Sequence, residues 1–280
     1  MTTKYKTLSL CLLACMTSIS VLAHDAWIET DIGQAKAPQS ANLSFYIGHA
    51  GEADKYLIGA DKLSSFYSLG PNGLTNHLSV TDSQTPTASL NMSFPDTGTH
   101  VVSLSTFRTY IELPADKFND YATEEGITPI LRARAAKGTF NDAGKELYSR
   151  HLKTIVNSNA SGCLDRRAAQ PVGQPLEIIP IAAKGGEDSQ KLQVEVQYRG
   201  KATAGVTLHM NDIIAGEATQ LLQTDKDGQA WLTLPKDHDW YVHAAWSEAV
   251  QTDDNDADFL TVLASLSLAQ HPSNPKICFK

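Results

Sequence analysis

Histidine is the residue type with the widest chemical repertoire in this chain, and one of the nine histidines stands at a special position. His24 directly follows Val21-Leu22-Ala23, which has the small residues that a signal peptidase recognises. Cleavage after Ala23 would make His24 the first residue of the mature protein. Its free α-amine and its imidazole Nδ1 would then chelate one metal ion together. The alternative is that a cleavage point precedes a histidine by chance.

A second imidazole would complete a T-shaped site of three nitrogens, a histidine brace, which suits Cu(II) or Ni(II). His49 is one candidate, because it lies in a glycine-flanked segment, Gly48-His49-Ala50-Gly51-Glu52, just after a predicted strand. His243 lies inside a strand pattern and is the other. His209 also lies inside a strand pattern, where it could be an exposed residue as easily as a ligand. The remaining histidines are expected to be structural or to face solvent: His77, His100, His151, His238 and His271.

The first 23 residues have the pattern of a cleavable export signal. Lys4 and Lys6 form a basic region, and an apolar stretch from Leu8 to Leu22 is too short to cross a bilayer comfortably. We therefore expect a periplasmic protein with a signal peptide at residues 1–23. An alternative treats Leu12-Leu13-Ala14-Cys15 as a lipoprotein box acylated at Cys15. No later stretch offers eighteen consecutive apolar residues, so we expect no membrane span in the mature chain.

The net negative charge of the chain argues against some classes of binding partner. The signal carries two lysines and no acidic residue, so its removal moves the net charge from −8 to about −10. An acidic protein of this kind is not expected to bind nucleic acid, because phosphate binding needs a basic surface. The same balance is compatible with a cation as partner.

Two cysteines remain after removal of the signal, Cys163 and Cys278. In an oxidising compartment a lone pair of cysteines predicts a disulfide bond. Two thiolate metal ligands are the alternative, although no CxxC spacing accompanies them.

Short alternating runs predict a mainly β protein with two β-sandwich domains and a small helical insertion. Strands are expected over Leu43–Ile47, His77–Val80, Ala88–Phe94, Val101–Phe107, Leu176–Ile181, Leu192–Tyr198, Val206–Met210, Ala230–Leu234, Tyr241–Ala245 and Thr261–Leu268. Helical patterns are expected after Pro114, over Pro129–Ala136 and over Asp142–Val156. The predicted boundaries are an N-terminal β-domain at 24–113, a helical insertion at 114–160 and a C-terminal domain at 161–280. By analogy, the last of these resembles transthyretin (prealbumin).

Motifs for nucleophilic or phosphate chemistry are absent from the sequence, which has no G-x-S-x-G, P-loop, HExxH or dinucleotide fingerprint. We therefore expect a protein that is not an enzyme. A copper monooxygenase built on a histidine brace is a distant alternative. Such an enzyme needs a flat aromatic face around the amine, and Trp27 is the only aromatic residue close in sequence.

Six blocks along the chain resemble a large bacterial family of unknown-function domains, described as similar to the periplasmic component of cobalt/nickel transport (NikM-like). The blocks are His24–Glu29, Tyr46–His49, Ile111–Phe118 (compare ELPAEKF), Glu146–Lys153 (ELYSRxxK), Pro175–Pro180 (PLEIVP) and Leu263–Leu268 (WASLTF). The resemblance implies two β-domains with a helical insert, export to the periplasm and a link to transition-metal uptake. At the level of single residues, the resemblance implies that His24 is a metal ligand. The family often has a further histidine after the strand at Trp240–Ala245, where the nearest histidine here is His243.

Together these observations predict a periplasmic protein that binds nickel, cobalt or copper through His24, His49 and His243 and serves metal uptake or delivery. A metal permease or an outer-membrane receptor would be its partner. The alternative is a β-sandwich module that binds a non-metal ligand or acts as an adhesin.

Overall fold

The structure, a computed structural model, describes residues 25–31, 39–49, 51–158, 163–185, 190–213, 215–234, 239–250, 257–268 and 278–279. It is mainly β, as the alternating runs predicted. A nine-stranded sheet forms its centre and has the order β14-β13-β16-β17-β9-β7-β4-β5, with β8 paired to the first part of β9. Its strands are β4 (Leu63–Gly70), β5 (Gly73–Asn76), β7 (Thr99–Thr106), β8 (Thr109–Leu113), β9 (Gly144–Asn157), β13 (Thr207–Asp212), β14 (Glu217–Gln223), β16 (Trp240–Ala249) and β17 (Phe259–Leu268).

Two smaller sheets cover the central one. The first contains β1 (Asp25–Thr30), β2 (Gln39–His49), β3 (Glu52–Lys55) and β6 (Ser89–Phe94), and the second contains β10 (Leu176–Gly185), β11 (Gln190–Tyr198), β12 (Lys201–Ala202) and β15 (Gln229–Leu234). Successive residues of a strand point to opposite faces. Accordingly Val102 and Val156 are buried in the core with the first small sheet, whereas Val101 and Ile155 are buried in the core with the second.

The prediction of a mainly β fold with two β-sandwiches is therefore confirmed. The first half consists of the first small sheet and the strands before β9, and the second half consists of the second small sheet and the strands after β9. The two halves share the central sheet, because β9 pairs antiparallel with β7 of the first half and parallel with β17 of the second.

The helical insertion consists of α1 (Ala115–Glu124) and α2 (Thr128–Lys137). Phe118, Tyr121 and Ile130 bury its inner side against Ala245 and Phe259 of the central sheet. The helix predicted after Pro114 and the one predicted at Pro129–Ala136 are confirmed. Neither reaches eighteen residues, so the described part of the chain contains no helix able to cross a membrane.

Two local predictions were wrong. Asp142–Val156 was expected to be helical, but most of it is β9. This strand is covered on both faces, so its apolar residues do not alternate, and Thr154, Ile155 and Val156 have the β-branched side chains that favour strands. The expected strand at His77–Val80 is instead a 3₁₀ turn, Leu78–Val80.

Cys163 and Cys278 form a disulfide bond with a Cα–Cα distance of 4.6 Å. The predicted pairing is confirmed, and the thiolate-ligand alternative is excluded in this state. The bond fixes the C-terminal segment beside the loop that follows β9, where Leu164 also pairs with Phe279.

Candidate metal centre

Two histidines on neighbouring strands and one glutamate from the helical insertion converge on one point. His209 of β13 and His243 of β16 are direct partners in the antiparallel register. Their rings stack with centroids 4.5 Å apart and planes 8° from parallel. Glu125 follows α1 directly, and potential ligand atoms of the three residues all lie within 4.8 Å of one another.

Gly126 explains how the helical insertion reaches the sheet at this point. It has a φ of +64°, and a Cβ at this position would lie 2.3 Å from Thr207 Oγ1. The Thr207 hydroxyl donates a hydrogen bond to the Gly126 carbonyl. Glycine therefore permits both the left-handed backbone that ends α1 and its close approach to β13. As a result Glu125 is held beside His209, two residues further along that strand.

Three polar atoms in this cluster are buried and have no hydrogen-bond partner: Glu125 Oε2, His209 Nε2 and His243 Nε2. The His243 Nε2 atom lies 3.4 Å from Glu125 Oε2, within ion-pair distance but without hydrogen-bond geometry. Unpaired buried polar atoms are costly and uncommon in folded proteins. Each of the three residues therefore has an unpartnered buried atom, and one potential ligand atom of each lies within 4.8 Å of those of the other two, as in a ligand set.

Asp25, the first residue of β1, brings a second carboxylate to the same histidine. Its Oδ1 atom lies 3.0 Å from His243 Nε2, and its Oδ2 atom accepts a hydrogen bond of 2.9 Å from the Tyr241 hydroxyl. Trp27 stacks between Tyr46 and Tyr241 and is buried, so it anchors this strand.

Asn211 controls the tautomer of His243. Its amide nitrogen donates to the His209 carbonyl and faces His243 Nδ1 at 3.1 Å. In this arrangement Nδ1 accepts, so the proton of the neutral ring is on Nε2, facing Asp25. A metal bound at Nε2 would replace that proton, and Nδ1–H would then require the Asn211 amide to present its oxygen.

Burial keeps the imidazoles neutral. It lowers the pKa of His209 to about 4, and the neighbouring His243 contributes in the same direction. Burial also lowers the pKa of His243, although Asp25 opposes this shift. Metal binding needs the deprotonated imidazole, so both rings are in the competent form at neutral pH.

Burial changes the pKa values of the carboxyl groups in the opposite direction to those of the histidines. Burial raises the pKa values of Asp25, Glu125 and Glu146 to about 7. The buried Arg150 opposes this shift and lowers all three pKa values through its positive charge. With all three carboxylates ionised, these four groups carry a net charge of −2. A divalent cation would neutralise that charge without protonation of any carboxylate.

The three candidate ligands predicted from the sequence lie at different places relative to this cluster. His243 belongs to the cluster. His49 is exposed at the end of β2, and its charge lowers the pKa values of Glu125 and His243, so it lies close to the cluster. His24 lies outside the described residues, as do His238 and His271.

Sequence analysis missed Asp25 and Glu125, and it left His209 open between an exposed strand residue and a ligand. His209 and His243 are 34 positions apart, and only the strand register brings them together. Glycine is common just after the last residue of a helix, so Gly126 is a sign in the sequence that a helix ends near Glu125. The expectation of a structural role is consistent with His100 and His151, which are buried and hydrogen-bonded.

No curated protein matches the chain. Among solved structures, the D0-D1 domain of intimin matches with 12% identity and a TM-score of 0.21, over 87% of this chain and 97% of that one. A likeness of this strength carries no argument. A family model described as a domain of unknown function, DUF4198, matches residues 21–248, and the chain belongs to that family.

Proposed function

We propose that the protein binds a divalent transition metal, nickel, cobalt or copper, in the periplasm and acts in uptake or delivery of the metal. The observation that carries this proposal is the convergence of Glu125, His209 and His243, whose potential ligand atoms lie within 4.8 Å of one another. Each of these residues also has a buried side-chain atom without a hydrogen-bond partner. Two imidazoles and a carboxylate are a common donor set for first-row metals. Asp25 is placed to act as a further ligand or to accept the proton from His243.

The mature N-terminus would supply the remaining nitrogen ligands. Residue 24 is bonded to Asp25, and consecutive Cα atoms are about 3.8 Å apart. The Asp25 carboxylate in turn lies beside His243. Cleavage after Ala23 would therefore create a free α-amine and an imidazole within reach of the cluster. His49, at the end of β2, is the additional candidate suggested by the sequence.

The role in transport rests on the resemblance of six sequence blocks to proteins described as NikM-like. In this proposal the metal is cargo, and the protein delivers it to a permease or receives it from an outer-membrane receptor. A non-enzymatic role agrees with the absence of nucleophile motifs from the sequence.

Calorimetry with Ni(II), Co(II) and Cu(II) on the processed protein tests the proposal. His209→Ala and His243→Ala should each weaken binding by more than the roughly 10–100-fold typical of removing an outer-shell partner. His77→Ala is the matched control, because His77 is a half-buried histidine whose Nε2 contacts Ser68 Oγ in the first half. Equal affinities for all variants, or no binding tighter than micromolar, would overturn the proposal.

A further inference from the structure

Five aromatic rings form a continuous stack that runs from the candidate metal centre towards the surface. Beyond the stacked pair of His209 and His243, Tyr241 follows His243 with ring centroids 6.0 Å apart and planes 27° from parallel. Trp27 lies on Tyr241 at 4.2 Å, and Tyr46 completes the stack at 5.6 Å from Trp27. The proposed function uses only the two histidines of this ring stack. The other three members are tyrosine and tryptophan, whose rings give up one electron more easily than most side chains.

The strand register holds these rings in place. Trp27 of β1 is the direct partner of Tyr46 of β2. Tyr241 lies two residues before His243 on β16, so the two side chains share one face of the central sheet. Trp27 and Tyr241 are buried, whereas Tyr46 is half-buried. The ring stack therefore begins at the candidate metal ligands and ends at a ring that solvent reaches.

Each of the two buried rings donates its polar hydrogen to a carboxylate. The indole Nε1 of Trp27 donates to Glu29 Oε1 at 2.8 Å, and the Tyr241 hydroxyl donates to Asp25 Oδ2 at 2.9 Å. An oxidised tyrosine or tryptophan is a much stronger acid than the intact residue, so its oxidation is easiest where a base accepts the proton at once. The buried Nε1 of Trp240, the sequence neighbour of Tyr241, has no such acceptor among the described residues. Burial of a tryptophan in this fold therefore does not by itself supply one.

Copper at this centre would expose its own ligands to oxidation. Cu(I) passes one electron to hydrogen peroxide, whose O–O bond breaks to give hydroxide and a hydroxyl radical, and the copper becomes Cu(II). The radical then oxidises a side chain beside it, either a histidine ligand or Tyr241. Tyr241 differs from the ligands in that further oxidisable rings connect it to the surface.

We infer that the ring stack carries this oxidising equivalent from the metal centre to the surface and so protects the histidine ligands of a bound copper ion. The inference rests on the proposed function, because it requires copper at His209 and His243. Tyr241 gives an electron to the hydroxyl radical, which becomes hydroxide, and the phenol proton moves to Asp25. Trp27 then gives an electron to Tyr241, which recovers its proton.

The remaining steps return every residue to its starting state. Trp27 passes its Nε1 proton to Glu29 as it is oxidised, and it recovers both electron and proton when Tyr46 reduces it. Tyr46 releases its proton to water. A diffusible reductant such as ascorbate restores Tyr46, and a second ascorbate returns Cu(II) to Cu(I). Each cycle converts hydrogen peroxide, two electrons and two protons into two molecules of water.

The test compares Trp27→Phe with the matched control Trp240→Phe, in copper-loaded protein treated with hydrogen peroxide and ascorbate. Phenylalanine keeps a ring at either position but resists oxidation. Peptide mass spectrometry measures conversion of His209 and His243 to 2-oxo-histidine. Trp27→Phe should raise this conversion at least about threefold, whereas Trp240→Phe, which alters a buried tryptophan outside the ring stack, should leave it unchanged.

Tyr46→Phe is a second variant, at a half-buried position, and it keeps the test decisive if Trp27→Phe does not fold. It should move oxidation onto Trp27, because the radical is no longer passed to the surface. Copper binding is measured first, by calorimetry and electron paramagnetic resonance. Absence of a Cu(II) signal that depends on the two histidines would overturn this inference together with copper as the cargo. A normal Cu(II) signal overturns the inference alone if Tyr46→Phe leaves Trp27 no more oxidised, or if Trp27→Phe and Trp240→Phe give equal oxidation of His209 and His243.

Discussion

His209 and His243 face each other across adjacent antiparallel strands, with their rings stacked 4.5 Å apart. Protonation of both rings would place two positive charges in contact inside a buried site. The doubly protonated pair is therefore disfavoured, and the neutral imidazole is also the form that binds metal.

Glu125→Gln tests whether the carboxylate is a ligand. The substitution keeps the shape of the side chain and removes its charge, so we expect the affinity for Ni(II) to fall at least about tenfold while the fold is retained. Glu124→Gln is the matched control, because Glu124 is the exposed neighbour on α1. An equal loss in both variants would indicate a general effect of charge and would contradict ligation by Glu125.

Insertion of one alanine between Ala23 and His24 tests the contribution of the N-terminus. After processing, the imidazole of His24 is still present, but the α-amine belongs to the inserted residue and no longer shares a chelate ring with it. We expect weaker Cu(II) binding, measured by calorimetry after intact mass has confirmed cleavage after Ala23. Unchanged affinity would exclude the chelate. A mass that corresponds to acylation at Cys15 would exclude the free amine altogether.

Glu146 should make the stability of the metal-free protein dependent on pH. Burial raises its pKa from 4.5 to about 7, so the folded state holds a proton that the unfolded state has lost. Stability from this group is complete below pH 4.5 and is lost as the pH rises to about 7. The full effect is up to about 3 kcal/mol.

Glu146→Gln removes this ionisation. The variant should therefore gain stability relative to the unmodified protein between pH 5 and pH 8, as measured by urea unfolding. The same difference in unfolding free energy at both pH values would show that Glu146 does not titrate in this range.

The disulfide should contribute strongly to stability. Cys163 and Cys278 are separated by 115 positions, and closing a loop of this length stabilises the folded state by about 4–5 kcal/mol in the chain-entropy model. Cys163→Ser/Cys278→Ser should lower the free energy of unfolding by that order. Thiol titration of the unmodified protein in denaturant without reductant should detect no free thiol from these two cysteines, and two free thiols would contradict the bond.

Many of the strands and both helices could be predicted from the sequence, because alternating residues and turn residues lie close together along the chain. The disulfide could be predicted because only two cysteines remain after residue 23. The site was harder to predict. Its members come from β1, the end of α1, β13 and β16, and they meet only through the register of the central sheet and the close approach at Gly126. The misassigned β9 has the same cause, because a strand buried on both faces loses the alternation that identifies strands.

The position of β17 has a consequence for the order of folding. This strand is the last long one among the residues that the structure describes, yet it lies in the middle of the central sheet between β16 and β9. There Leu260 pairs with Leu147 across more than one hundred residues. The sheet cannot close while the chain is still being synthesised, because its central position stays empty until almost every residue has emerged. Before that, β9 and β16 each have an unpaired edge at that position. The complete central sheet therefore forms only after β17 has joined it, and not progressively from the N-terminal strands.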